Sequence, residues 1–237
     1  MSQITLSSSD RDLIDKEWQR IDGFAARAIS SAAMPSVGDL MKAHKIFFEK
    51  EKRDVFYRTA MLLMPLALND QINLSPADVL EIVLQTWNSQ FYRFRRWIPK
   101  HHQDIEQLVV RFKAQISATR TRTISSCLKG FSGDEGWVLL MFAEFRKVLG
   151  PVGAAKSLHL LAPEFLPLWD NTIAKKAYGV PLDETGYIAM MRAVQVQEKK
   201  VSGSKTVAGN FLKLLDEYNY CRYKKGWLSA QTTQLSA

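Results

Sequence analysis

Lys156 and Asp170, fourteen residues apart, are of types that make and break bonds to carbon. A lysine pushed toward its neutral form is a nucleophile, able to attack an electrophilic carbon and form a Schiff base. A carboxylate held against a centre that turns positive in the transition state stabilises that charge and orients a water. The surrounding residues supply the positioning. Leu149-Gly-Pro-Val-Gly153 predicts the end of one helix, a four-residue turn containing Gly150 and Gly153, and a new helix from about Ala154 with Lys156 in its first turn. The turn and the helix N-terminus, at Gly150, Val152, Gly153 and Ala154, make a site for a phosphate. A loop bounded by Pro163 and Pro167 follows, and Asp170 opens a further helix. Plainer roles fit the same residues. Gly-x-x-Gly turns are frequent at helix ends, Asp170 suits an N-cap, and Lys156 suits a phosphate contact.

The order of these features resembles the helix-hairpin-helix (HhH-GPD) DNA glycosylase superfamily, in which a Leu-Pro-Gly-Val-Gly-x-Lys hairpin precedes a Gly/Pro-rich loop and an aspartate. The matching residues are Leu149-Gly-Pro-Val-Gly153, Lys156 and Asp170, and the resemblance covers residues 137–179. Elsewhere only helical character agrees. Gly and Pro are exchanged at the second and third hairpin positions, and the spacing from Lys156 to Asp170 is short for that superfamily. The segment Lys156-Ser-Leu-His-x5-Glu-Phe-x-Pro-x-Trp-Asp170 also looks like a divergent bacterial branch, some members of which act in defence against phage with modified DNA. The resemblance implies a two-lobed all-α fold and hydrolysis of the N-glycosidic bond of a modified or damaged base, with a modified phage cytosine among the options. Asp170 would stabilise the sugar cation, and Lys156 would be a nucleophile that adds lyase activity at the abasic site. The implied partner is double-stranded DNA with a flipped base, and no cofactor is implied.

Base-extruding enzymes need a plug for the gap left in the duplex and a flat face on which to stack the flipped base. Trp87-Asn-Ser-Gln-Phe-Tyr-Arg-Phe-Arg-Arg-Trp97 interleaves aromatics with arginines at a place in chain order where the superfamily commonly carries a plug. Asn88 and Gln90 are the candidates for the plug or for reading a base edge, and Phe91 or Tyr92 for stacking. Arg93 and Arg96 are assigned to phosphates. The aromatics from Trp87 onward also follow helical spacing, which fits burial equally well. His159 lies near the face of Lys156 and can donate to Asp170 or to a leaving base, or simply be hydrogen-bonded in the core. Trp169 can stack on a base or anchor the Pro-rich loop.

The elements that must hold these residues are helices. Ser75 is an N-cap with Pro76 in the first turn and Asp78 at the positive dipole end; its helix carries Val79, Ile82, Val83 and Thr86 on one face to about residue 95. Ser132 to Glu135 fits a capping box ahead of an apolar helix over 137–148 that Gly150 ends. Further helices are predicted over residues 10–30, 38–68 with a break near Pro65, 102–128, 171–177, 183–197 and 207–221. In the last of these, residues 214–220 read as packing, with Asp216 as a supporting carboxylate. Alternating apolar runs bounded by hairpin turns are missing, so little or no sheet is expected. The chain reads as a single unit over residues 1–237, made of two lobes that share a cleft, with weak boundaries at 30–38, 129–136 and 202–209.

Composition narrows the function classes. The formal charge of +8, from 32 Lys and Arg against 24 Asp and Glu, favours a polyanionic partner. Basic clusters recur at Arg120 and Arg122, at Lys175 and Lys176, at Lys199 and Lys200, and at Arg222, Lys224 and Lys225. Two cysteines without a CxxC exclude a disulfide framework and four-cysteine zinc or iron–sulfur sites. His101 and His102 lack a third ligand at suitable spacing, so no metal is expected. No secretory signal and no apolar run of membrane length is seen, which predicts a cytoplasmic protein with no membrane partner, taken as a monomer. Two other readings stand beside base excision: a non-catalytic helix-hairpin-helix DNA clamp, and a helical adaptor whose basic face is incidental.

Overall fold

The computed structural model describes residues 8–87, 96–130, 132–202 and 209–228. All regular structure among them is helical, so the chain is all-α. The helices are α1 (Ser8–Ser31), α2 (Val37–Lys50), α3 (Asp54–Leu68), α4 (Pro76–Trp87), α5 (Pro99–Arg111), α6 (Lys113–Thr119), α7 (Asp134–Leu161), α8 (Asn171–Ala177), α9 (Glu184–Ser202) and α10 (Phe211–Asn219). A 3₁₀ turn (Ile124–Ser126) precedes α7, and a π-helical turn (Tyr220–Lys224) continues α10. One contiguous buried apolar cluster draws side chains from all ten of these helices.

At its centre lies α7. Its first arm buries Val138, Leu139, Leu140, Met141, Phe142, Phe145 and Leu149, on every side of the helix. A helix apolar all round is stable only when enclosed, and α1, α3, α4, α5 and α9 enclose it. α1 presents Ile21, Ala25 and Ala28 to α9, at helical spacing and with side chains small enough for close approach. α2 begins in a capping box, Ser36 Oγ accepting from Asp39 N at 3.1 Å and Asp39 Oδ2 from Ser36 N at 2.9 Å. It buries Leu40, Ala43 and Phe47, and α2 packs on α10. Ser75 caps α4 as the sequence predicts, its Oγ accepting from Asp78 N, and Asp78 Oδ2 accepts from Ser75 N in return.

Four boundaries differ from expectation, each for a physical reason. The 38–68 segment breaks at residues 51–53 and not at Pro65. The Glu51 carboxylate there gathers Arg53 and the Tyr220 hydroxyl, and Pro65 stays inside α3. The 102–128 segment divides at Phe112 into α5 and α6, and the 3₁₀ turn follows. The capping box at 132–135 does not form, because α7 starts after Gly133 without a side-chain cap. Glu135 instead accepts from Gly130 N and holds Arg192, while Asp134 accepts from Leu128 N and holds Arg122. Finally, the turn expected over 150–153 is a single non-helical residue. Gly150 takes φ 70°, ψ 171°, and the helix resumes at Pro151 and not near Ala154. Proline is pre-set for a first helical position, so the second arm starts immediately and absorbs Gly153.

Candidate functional site

The kink at Gly150 aims the second arm of α7 so that Val152 and Lys156, one turn apart, face the same cavity of about 520 Å³. The loop from residue 162 to 170 folds back along this arm and is fastened at three points. Nδ1 of His159 donates to Leu166 O at 2.8 Å, the Tyr187 hydroxyl donates to Pro167 O at 2.9 Å, and Trp169 Nε1 donates to Pro151 O at 3.1 Å. The loop therefore delivers Asp170 to the cavity in a fixed relation to Lys156. Asp170 also caps α8, its Oδ1 accepting from Thr172 N at 2.8 Å and Ile173 N at 2.9 Å. Its other oxygen pairs with Lys224 Nζ, from the π-helical turn.

Lys156 is the most perturbed base at the site. Burial, reinforced by the nearby Lys224 charge, pulls its ammonium down to about 7, against the opposite pull of Asp216 and Asp170. Its Nζ donates to the Trp87 carbonyl at 2.7 Å, at the last residue of α4. Trp87 is stacked on Tyr57, ring centroids 5.1 Å apart and nearly parallel. Two further carboxylates reach the cavity. Glu51, with its oxygens on Arg53 and the Tyr220 hydroxyl, is held down to about 2, first by its hydrogen bond with Arg53. Asp216, from the middle of α10, is raised to about 6 by burial. A cavity with a weakly basic amine, carboxylates and aromatic walls suits a planar, hydrogen-bonding ligand.

Of the residues picked from the sequence, Trp87, Val152, Lys156, Trp169 and Asp170 all line this cavity. His159 does not. Its ring is fully buried, with Nδ1 on Leu166 O and Nε2 accepting from the Tyr57 hydroxyl at 2.9 Å. Burial holds it down to about 3, so it is a neutral strut and not a proton donor to the pocket. Gly153 and Ala154 are buried inside the second arm, leaving half-buried Gly150 and Val152 as the part of that segment that reaches the surface. Arg96 is exposed. Asn88, Gln90, Phe91, Tyr92 and Arg93 lie outside the described residues.

Sequence reasoning missed Phe47, Glu51, Arg53 and Tyr220. It counted Lys224 and Lys225 among the basic clusters without placing them here, and it set Asp216 behind the site when that residue lines it. Only the charged run Glu51-Lys-Arg53 at a helix break carried a signal for the missed group. No family model matches the chain, nor does any curated protein or solved structure. Among the described residues no helix is long and apolar enough to cross a membrane.

Proposed function

We propose that this protein is a DNA glycosylase that removes a modified base through Lys156, with Asp170 supporting the charge that develops on the sugar. The observation that carries the reading is that Lys156, weakly basic and near Asp170 in charge interaction, shares with it one aromatic-walled cavity of about 520 Å³. That volume accepts a nucleoside extruded from a duplex. An amine held near 7 is uncharged in about half of the molecules in a neutral solution, so its lone pair is available to the anomeric carbon. The new carbon–nitrogen bond forms as the glycosidic bond breaks, and the electron pair of the broken bond leaves with the base. Opening of the sugar ring then gives the Schiff base from which strand cleavage follows. Arg53, Lys224 and Lys225 at the same cavity supply positive charge for the flanking phosphates.

Free-base release measured by mass spectrometry tests this. Damaged oligonucleotides and phage DNA with hypermodified cytosine serve as substrates, with wild type and Asp170→Asn side by side. Asparagine still caps α8, so binding of DNA is expected to survive while release falls at least about a hundredfold. The alternative of a non-catalytic DNA clamp is favoured by one observation: both Asp170 oxygens are already engaged, one by the α8 backbone and one by Lys224. Salt-sensitive DNA binding with no base released from any substrate selects the clamp.

A further inference from the structure

Three carboxylates line the cavity, and they differ in what they have left to offer. Glu51 is saturated by Arg53 and the Tyr220 hydroxyl. Asp170 is divided between the α8 N-terminus and Lys224. The Asp216 side chain, in contrast, has no hydrogen bond or ion pair among the described residues. A half-buried carboxyl kept unpartnered beside a cavity retains its full accepting capacity for whatever enters. Its electrostatic neighbours include Lys156 of α7, and the influence is mutual. Lys213 and Glu217 act on it from its own helix and Asp170 from the loop before α8. Arg53 and Lys224 reach the same cavity from the α2–α3 break and the π-helical turn.

Resting on the glycosylase reading, we infer that Asp216, and not Asp170, accepts the proton that the Lys156 nitrogen sheds after bonding to the sugar and passes it to the departing base. The balance closes without another reactant. Nitrogen gains a bond to the anomeric carbon and becomes positive; the base leaves with the glycosidic electron pair. One N–H proton moves to the Asp216 carboxylate, leaving a neutral amine on the sugar, and the same proton then neutralises the base. Asp216 returns to its carboxylate form. Asp170, tied to α8 and Lys224, keeps the role of a fixed negative charge near the sugar. A group that takes and gives a proton in one cycle works best when its affinity for protons lies near the working pH, and burial brings Asp216 to about 6.

The test uses the full chain as wild type, Asp216→Asn and Asp216→Glu. Borohydride trapping of the lysine on a duplex with a preformed abasic site is followed against pH, and base release on any substrate found above. Asp216→Asn is expected to slow both by about a hundredfold, to lose the ionisation near 6 from the pH profile, and to regain rate with added formate; Asp216→Glu keeps most of the rate. DNA binding by fluorescence anisotropy, unchanged in both variants, excludes a folding defect. An Asp216→Asn protein that traps and releases at the wild-type rate with the same profile overturns the assignment and leaves the glycosylase reading standing. A slowed variant with an unchanged profile and no response to formate overturns it equally. Wild type that neither traps nor releases overturns both.

Discussion

Lys156 carries its proton up to about 10.5 in an unfolded chain but only to about 7 in the folded one. Below 7 both states are protonated, and folding bears the full cost of a buried ammonium. Between 7 and 10.5 only the unfolded chain holds that proton, so this residue's contribution to stability rises with pH across that window. Lys156→Met is therefore expected to unfold at higher urea at pH 6, by about 2 kcal/mol after allowance for solvent near the cavity, with the gain shrinking toward pH 10. The same variant should release no base. In wild type, base release should climb as pH rises through about 7, where the amine loses its proton. A flat rate between pH 5.5 and 8 is incompatible with a lysine nucleophile at this position. That Lys156 and Asp170 share one cavity was legible in the sequence because they sit in one local stretch punctuated by Gly150, Pro151, Pro163 and Pro167. His159 was not, since its partners Tyr57 and Leu166 come from another helix and from the loop.

At the level of elements, one residue sets the direction of the arm that carries Lys156. Gly150 lies at φ 70°, ψ 171°, a conformation closed to residues with a Cβ. Gly150→Ala is expected to cost about 1–3 kcal/mol in denaturant unfolding. It should also return the Lys156 ammonium toward its ordinary range, read by NMR of reductively methylated lysine, as the arm moves off the Trp87 carbonyl. The expected four-residue turn is reduced to one residue for a physical reason. With proline third in the motif, the helix restarts at Pro151, and Gly153 becomes a packed helical position whose enlargement would disturb the core before it touched a phosphate. The capping signature at 132–135 failed for a different reason. Local propensity names a residue's nearest option, and Glu135 had a better one in Arg192, 57 positions further along the chain.

Across the whole molecule, that Arg192–Glu135 pair is a main tie between α7, α9 and α1. The guanidinium makes two hydrogen bonds to Glu135, at 2.7 and 2.8 Å, and also reaches Asp22 of α1. Glu135 is 2 % exposed and Arg192 10 %, so removing Glu135 leaves the buried guanidinium to the largely exposed Asp22 carboxylate. Glu135→Ala is expected to lower stability by about 3 kcal/mol in urea titration, and Glu135→Ala with Arg192→Met to recover much of it. The all-α class and most helix centres could be read from periodicity and punctuation, because those signals are local. The rest of the site could not. Glu51 and Arg53 meet Tyr220 and Asp216 only because α2 packs on α10, a contact between segments more than 150 residues apart that no local pattern encodes.

The hydrogen bond from Lys156 to the Trp87 carbonyl joins two distant parts of the chain. Trp87 is where α4 ends and the chain enters residues 88–95, the segment that bears Asn88, Gln90 and the arginines. The Lys156 nitrogen is thus bonded at 2.7 Å to the carbonyl that leads into that segment, although 69 positions separate the two residues in sequence. The buried amine and the last carbonyl of α4 touch directly, with no intervening side chain.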